Sequence, residues 1–106
     1  MGRLTYATAL VADFEDRVLA HLQVTITAKL RRGESFAFTW KDDRALGDGR
    51  TTIWLDPATS LAFRYLASRP PTINHAWIET LTEAANSAAG LRLVREPTEH
   101  TGQELR

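Results

Sequence analysis

Residues 36–65 read FAFTWKDDRALGDGRTTIWLDPATSLAFRY, and their alternation decides the fold. Phe36, Phe38 and Trp40 occupy every second position, as do Ile53 and Leu55, then Leu61, Phe63 and Tyr65. Period-two alternation marks a strand with one buried face and one wetter face. The spacing predicts strands at roughly residues 34–41, 51–56 and 61–67. Turn signals separate them: a polar, glycine-rich Gly47-Asp48-Gly49 segment, then Asp56-Pro57 with Ala58-Thr59-Ser60. Three such runs in succession read as an antiparallel sheet.

Outward from that centre the pattern changes to helical. Over residues 14–32, Phe14, Val18, Leu22, Ile26 and Leu30 recur every fourth position with Leu19 alongside, an apolar stripe along a helix. Asp13 reads as its N-cap, and Glu15 and Asp16 suit the positive end of the dipole. Lys29, Arg31 and Arg32 followed by Gly33 read as its end. The β-branched run Val24-Thr25-Ile26-Thr27 leaves a strand reading open for part of it. Leu4, Tyr6, Leu10 and Val11 ahead of it suggest a short strand, or a strand broken by a turn near Thr8.

After an extended linker at residues 68–72, with Pro70-Pro71 inside it, a second helix is expected. Asn74 is its N-cap with Thr72 as a rival, and Ile73 and Ile78 are spaced as a hydrophobic staple. Trp77, Ile78, Leu81, Ala84, Ala85 and Ala88 make its apolar face, Gly90 closes it, and Leu91-Arg92-Leu93-Val94 reads as a last strand or docked tail. Nothing from Pro97 onward is periodic or apolar enough to pack, so residues 97–106 are expected to be disordered. The expectation is one α+β domain over residues 1–96, in the order β-α-β-β-β-α-β. A small antiparallel sheet of about four to five strands carries helices on one face.

Composition bounds the function classes. The 106 residues contain 13 basic and 13 acidic side chains, for zero formal charge, with 43% hydrophobic and 25% charged residues. That is a globular composition without the polybasic excess that drives non-specific phosphate binding. There is no cysteine, which removes disulfides and thiolate zinc sites and fits the cytoplasm. No apolar run reaches membrane-spanning length and the N-terminus lacks a signal-peptide pattern. A cytoplasmic protein that does not engage membranes is the reading.

No catalytic constellation is visible. His21, His75 and His100 show no ligand spacing, so no metal and no cofactor is expected. Asp13, Glu15 and Asp16 fit a capping role, and Asp42, Asp43 and Asp48 sit in turn sequence, where aspartate bonds the backbone. Gly47-Asp48-Gly49-Arg50 lacks the spacing and terminal lysine of a phosphate loop.

Binding residues are easier to nominate. Trp40 and Trp77 lie in phase with apolar neighbours and are expected in the core. Trp54 shares parity with Thr52 and Asp56, opposite Ile53 and Leu55, and should face the wetter side. Lys41 and Arg64 are likewise out of phase with the apolar sets of their strands. An exposed aromatic with Lys41, Arg50 and Arg64 nearby is a stacking platform for nucleic-acid bases or an anchor for a homodimer. Both readings lapse if a helix covers that face. Arg31 and Arg32 are further candidates for phosphate contact, at a helix end whose dipole opposes anions.

The strings Asp13-Phe14-Glu15-Asp16-Arg17, Leu30-Arg31-Arg32-Gly33-Glu34-Ser35-Phe36, Gly49-Arg50-Thr51-Thr52-Ile53-Trp54-Leu55 and Ile73-Asn74-His75-Ala76-Trp77-Ile78-Glu79 carry a resemblance. Over about residues 1–97 the chain resembles an uncharacterised family of short actinobacterial proteins, often labelled "ATP-dependent DNA ligase". The label implies nucleotidyl transfer, which needs a lysine in a Lys-x-Asp-Gly setting. The two lysines do not supply it: Lys29 precedes Leu30-Arg31-Arg32 and Lys41 precedes Asp42-Asp43-Arg44. The expectation is a non-enzymatic interaction module, homodimeric, with an accessory role in DNA ligation or repair as the alternative and an enzyme without a recognisable motif as the second.

Overall fold

The structure is a computed structural model that describes residues 1–7, 10–42, 47 and 49–98. Six strands and two helices follow one another: β1 (Gly2–Tyr6), β2 (Leu10–Phe14), α1 (Asp16–Arg31), β3 (Phe36–Lys41), β4 (Arg50–Leu55), β5 (Leu61–Arg64), α2 (His75–Ala85) and β6 (Leu91–Arg92). The α+β class and the alternation of strands and helices are as read from sequence.

The strands divide into two sheets of three, where the sequence pointed to one. β2-β1-β5 is fully antiparallel, while β4-β3-β6 joins an antiparallel pair to a parallel β6. Two local causes account for the division. The N-terminal segment is a hairpin, with Gly2 opposite Phe14 and Tyr6 opposite Leu10. Ala7 enters its turn at φ 59°, and the turn near Thr8 lies outside the described residues. That hairpin offers β5 an edge. Asp56, whose Oδ1 accepts from the Ala58 amide, and Pro57 then turn the chain away from β4, so Leu61 pairs with Tyr6 and Phe63 with Leu4.

The start of α1 also differs from expectation. Asp13 is not its cap. It lies in β2 opposite Arg3 and accepts from the Arg3 Nε at 2.9 Å. Glu15 holds the cap position without a side-chain bond. Asp16 accepts from the backbone amides of Leu66 and Ala67 at 3.1 and 2.9 Å. Asp16 thus holds the chain just past β5, which ends at Arg64 rather than running to residue 67. Gly33, at φ 79°, follows α1 as expected.

Asn74 caps α2 as read, its Oδ1 accepting from the Ala76 and Trp77 amides. α2 ends at Ala85, so Ala88 lies beyond its apolar face. Gly90 is not the helix stop but the turn into β6. It sits at φ 86°, and a Cβ there would come within 2.7 Å of the Ala37 carbonyl. Only glycine lets β6 approach β3 this closely.

One core joins both sheets. Leu4 and Phe14 from the first meet Leu19, Leu22 and Ile26 of α1, the inward Phe36, Phe38, Trp40, Ile53 and Leu55 of the second, and Trp77, Leu81 and Leu91. Phe14 meets Trp40 edge-on, with ring centroids 5.9 Å apart. α1 packs against β1, β2 and α2, and α2 covers β3 and β6. Among the described residues no helix packs on the outer face of β4-β3-β6.

Candidate functional site

That open face follows from pleat and register. Across β3 and β4, Ala37 stands opposite Trp54, Thr39 opposite Thr52 and Lys41 opposite Arg50, all pointing away from the core. β6 adds Arg92 beside Thr39. Arg50 and Trp54 are four residues apart, which spreads the face over about 14 Å along the strand. Trp54 is 55% exposed, against 8% for Trp40 and 3% for Trp77. The expectation that Trp54 alone of the tryptophans faces solvent is met, and no helix among the described residues covers it.

Its backbone is fixed even though its ring is free. The Tyr6 hydroxyl donates to the Trp54 carbonyl at 2.9 Å, tying the outer edge of β4 to the first sheet. Thr39 and Thr52 bond to each other through their hydroxyls at 2.7 Å. Beside the indole lies a hollow of about 310 Å³, bordered by Ser35, Ala37, Asn86, Ser87 and Gly90. β3, β4 and β6 place no carboxylate on this face. Lys41 and Arg50 therefore oppose each other as like charges, an arrangement that disfavours pairing and that an anion would relieve.

The other nominated residues lie elsewhere. Arg64 does not share the face of Trp54. It is in β5, opposite Arg3, on the outer side of the other sheet. Alternation places a side chain on one side of its own strand but does not say which sheet the strand joins. Arg31 and Arg32 are at the C-terminus of α1. Arg32 pairs with Glu34 at 3.2 Å, and Arg31 lines a separate groove. Lys29 is buried, its Nζ donating to Glu34 and Asn86 above the Phe36 ring, so it is a tie between helix ends. Asp43 and Asp48 lie outside the described residues, as does His100.

Several titratable groups near α1 and α2 are engaged in structure. His21 is fully buried. Its Nδ1 bonds the Arg17 carbonyl at 2.7 Å, and its Nε2 accepts from the Asn74 amide at 2.8 Å. The donor to Nε2 fixes the neutral tautomer with the proton on Nδ1. The ring lies 4.5 Å from that of Trp77. Asn74 Nδ2 donates to Glu96 and to the Pro97 carbonyl, and Arg17 grips Glu96 through two nitrogens. The Arg17 guanidinium and the Asn74 amide hold the Glu96 carboxyl down at about 2. Pro97 is thus anchored, and residues 99–106 of the expected tail lie outside the described residues. Among the described residues no group of three His, Asp or Glu side chains is placed to hold a metal.

Sequence reasoning missed Arg92 and the His21–Asn74–Glu96 network. The alternation of Leu91 and Arg92 signals the first. The second joins residues 22 and 53 positions apart and leaves no local signal beyond the Asn74 cap.

No helix among the described residues is long and apolar enough to cross a membrane. Searches among curated proteins and among solved structures return no match, and nothing in these comparisons supports a ligase assignment. A family model described as a domain of unknown function, DUF7882, matches residues 1–96, and the chain belongs to that uncharacterised family.

Proposed function

We propose that this protein is a non-enzymatic, cytoplasmic binding module whose working surface is the open face of β4-β3-β6, and that its partner is a single-stranded nucleic acid. The observation that carries this is the grouping of Trp54 with Lys41, Arg50 and Arg92 on one face without a carboxylate in the strands. Bases stack on an exposed indole whatever their identity, and cations beside it take the phosphates. The threonine pair offers hydroxyls between the two. Zero net charge limits long-range steering but not a local patch. An accessory role at DNA ends or nicks is one setting in which such a surface works.

The test is fluorescence anisotropy of labelled oligo-dT and of a nicked duplex. Saturable binding is expected, stronger for the single strand. Trp54→Ala should weaken it by roughly fivefold or more, since base–aromatic stacking contributes about 1–3 kcal/mol. The unfolding midpoint should not move, because the ring is exposed. Absence of binding at low salt refutes the reading.

A homodimer is the second reading, and it finds support away from Trp54. Leu10 and Val11 are 36% and 50% exposed on β2, a sheet edge unpaired among the described residues, and such an edge pairs readily with a second copy. Two copies of the Trp54 face would instead set three cations against three. Sedimentation equilibrium separates the cases: a dimer lost in Val11→Lys but kept in Trp54→Ala supports the edge, and a monomer at all concentrations removes it.

A further inference from the structure

A second concave surface lies along α1, away from Trp54. It is a groove of about 630 Å³ between the outer side of α1 and residues 65–73. Its volume falls in the range of about 300–1,000 Å³ typical of small-ligand sites. Ala20, Val24 and Ala28 leave room along the helix, and Pro70, Pro71 and Ile73 form the facing wall. Two successive prolines hold that wall extended, so the groove exists before a ligand arrives. Inside it, the Tyr65 hydroxyl donates to Gln23 Oε1 at 2.5 Å, and most of the remaining lining is apolar.

The charge in the groove is one-sided. Arg31 and Arg69 both line it, and no acidic residue does. Neither arginine has an ion-pair partner among the described residues, whereas Arg3, Arg17 and Arg32 each do. An apolar trough with two uncommitted guanidinium groups is complementary to an apolar body bearing one anionic head. Guanidinium forks match a carboxylate's geometry.

We infer that this groove binds a single-chain amphipathic carboxylate, its hydrocarbon along Ala20, Val24 and Ala28 and its head group at Arg31 and Arg69. The site is independent of the nucleic-acid face and stands or falls separately from it.

The test is a ¹⁵N NMR titration of the full chain with sodium decanoate, with 1-decanol as the uncharged control. Saturable shifts confined to α1 from Ala20 to Arg31 and to residues 65–73 are expected, with decanol weaker by roughly tenfold, as loss of a charge-assisted contact implies. Ala28→Trp, at an exposed helix position, should fill the groove and abolish the shifts. The double variant Arg31→Ala/Arg69→Ala should bring decanoate down to the affinity of decanol. Shifts on β3, β4 and β6, no shifts at millimolar decanoate, or equal binding by the double variant and the parent would each overturn the assignment.

Discussion

Asn74 is the residue on which the C-terminal half of the molecule turns, and its replacement gives a quantitative test. Its Oδ1 accepts from two amides in the first turn of α2, its Nδ2 donates to Glu96 and to the Pro97 carbonyl, and its own amide donates to His21. Asn74→Ala keeps only the last. Loss of an N-cap costs about 0.5–2 kcal/mol, and loss of a hydrogen bond to a charged group about 1.5–3 kcal/mol. Glu96 retains Arg17, which moderates the second figure, so the expected loss is about 2–3 kcal/mol, or roughly 10 °C or more in melting temperature. Asn74→Ser keeps the cap and should recover about 1 kcal/mol. Asn74→Asp keeps the cap and favours the helix dipole, but it sets a second carboxylate against Glu96. It should be as poor as alanine near pH 7 and improve relative to the parent as pH falls toward about 5. Urea unfolding followed by tryptophan fluorescence reads all three. If serine were no better than alanine, or alanine cost less than about 0.5 kcal/mol, the account of Asn74 as cap and hub would be wrong.

Other expectations follow from the same contacts. Glu96 is held at about 2, and Asp16, Glu34 and Asp13 are also held below their usual values, by the Leu66 and Ala67 amides, by Lys29 and by Arg3. Groups depressed on folding stabilise fully above their unfolded values and lose that contribution as pH falls through the folded ones. The urea midpoint should therefore hold from neutrality to about pH 5 and decline toward pH 2, more gently in Glu96→Gln. Lys29→Met should change stability by less than about 1 kcal/mol, because Glu34 and Asn86 reach water and the stem stays packed. Lys29→Glu should destabilise strongly, and a large loss in the methionine variant would mean the ion pair itself is needed. Gly90→Ala meets both the positive φ and the Ala37 carbonyl. It should cost at least about 2 kcal/mol and loosen β6, seen as faster amide exchange at Leu91.

Much of this was legible in the sequence because it is local. Alternation placed Trp40 inside and Trp54 outside, and it put Lys41 on the face of Trp54. The Asn74 cap and the Gly33 stop were equally readable, each being set within one turn of chain. What escaped was non-local pairing. β5 had two possible neighbours, β4 before it in sequence and the N-terminal hairpin far away. The choice rests on the Asp56–Pro57 turn and on the edge the hairpin presents. Arg64 was misplaced for that reason. Asp13 was read as a helix cap because its sequence context fits one, but pairing with Arg3 draws it into β2. Burial of His21 and Lys29 depends on partners far along the chain, and a groove is a property of two surfaces rather than of any motif.

The central claim is that the open face takes a nucleic-acid strand through stacking and phosphate contacts, and the salt dependence of oligo-dT affinity tests it most directly. Three cations in contact with a single strand give a slope of log K against log salt of about −2, or about −0.7 for each phosphate neutralised. Affinity should then fall roughly twentyfold between 50 and 200 mM salt, and the slope should flatten to about −1.4 in Arg92→Ala. A flat salt dependence, or a slope that Arg92→Ala leaves unchanged, would contradict the account.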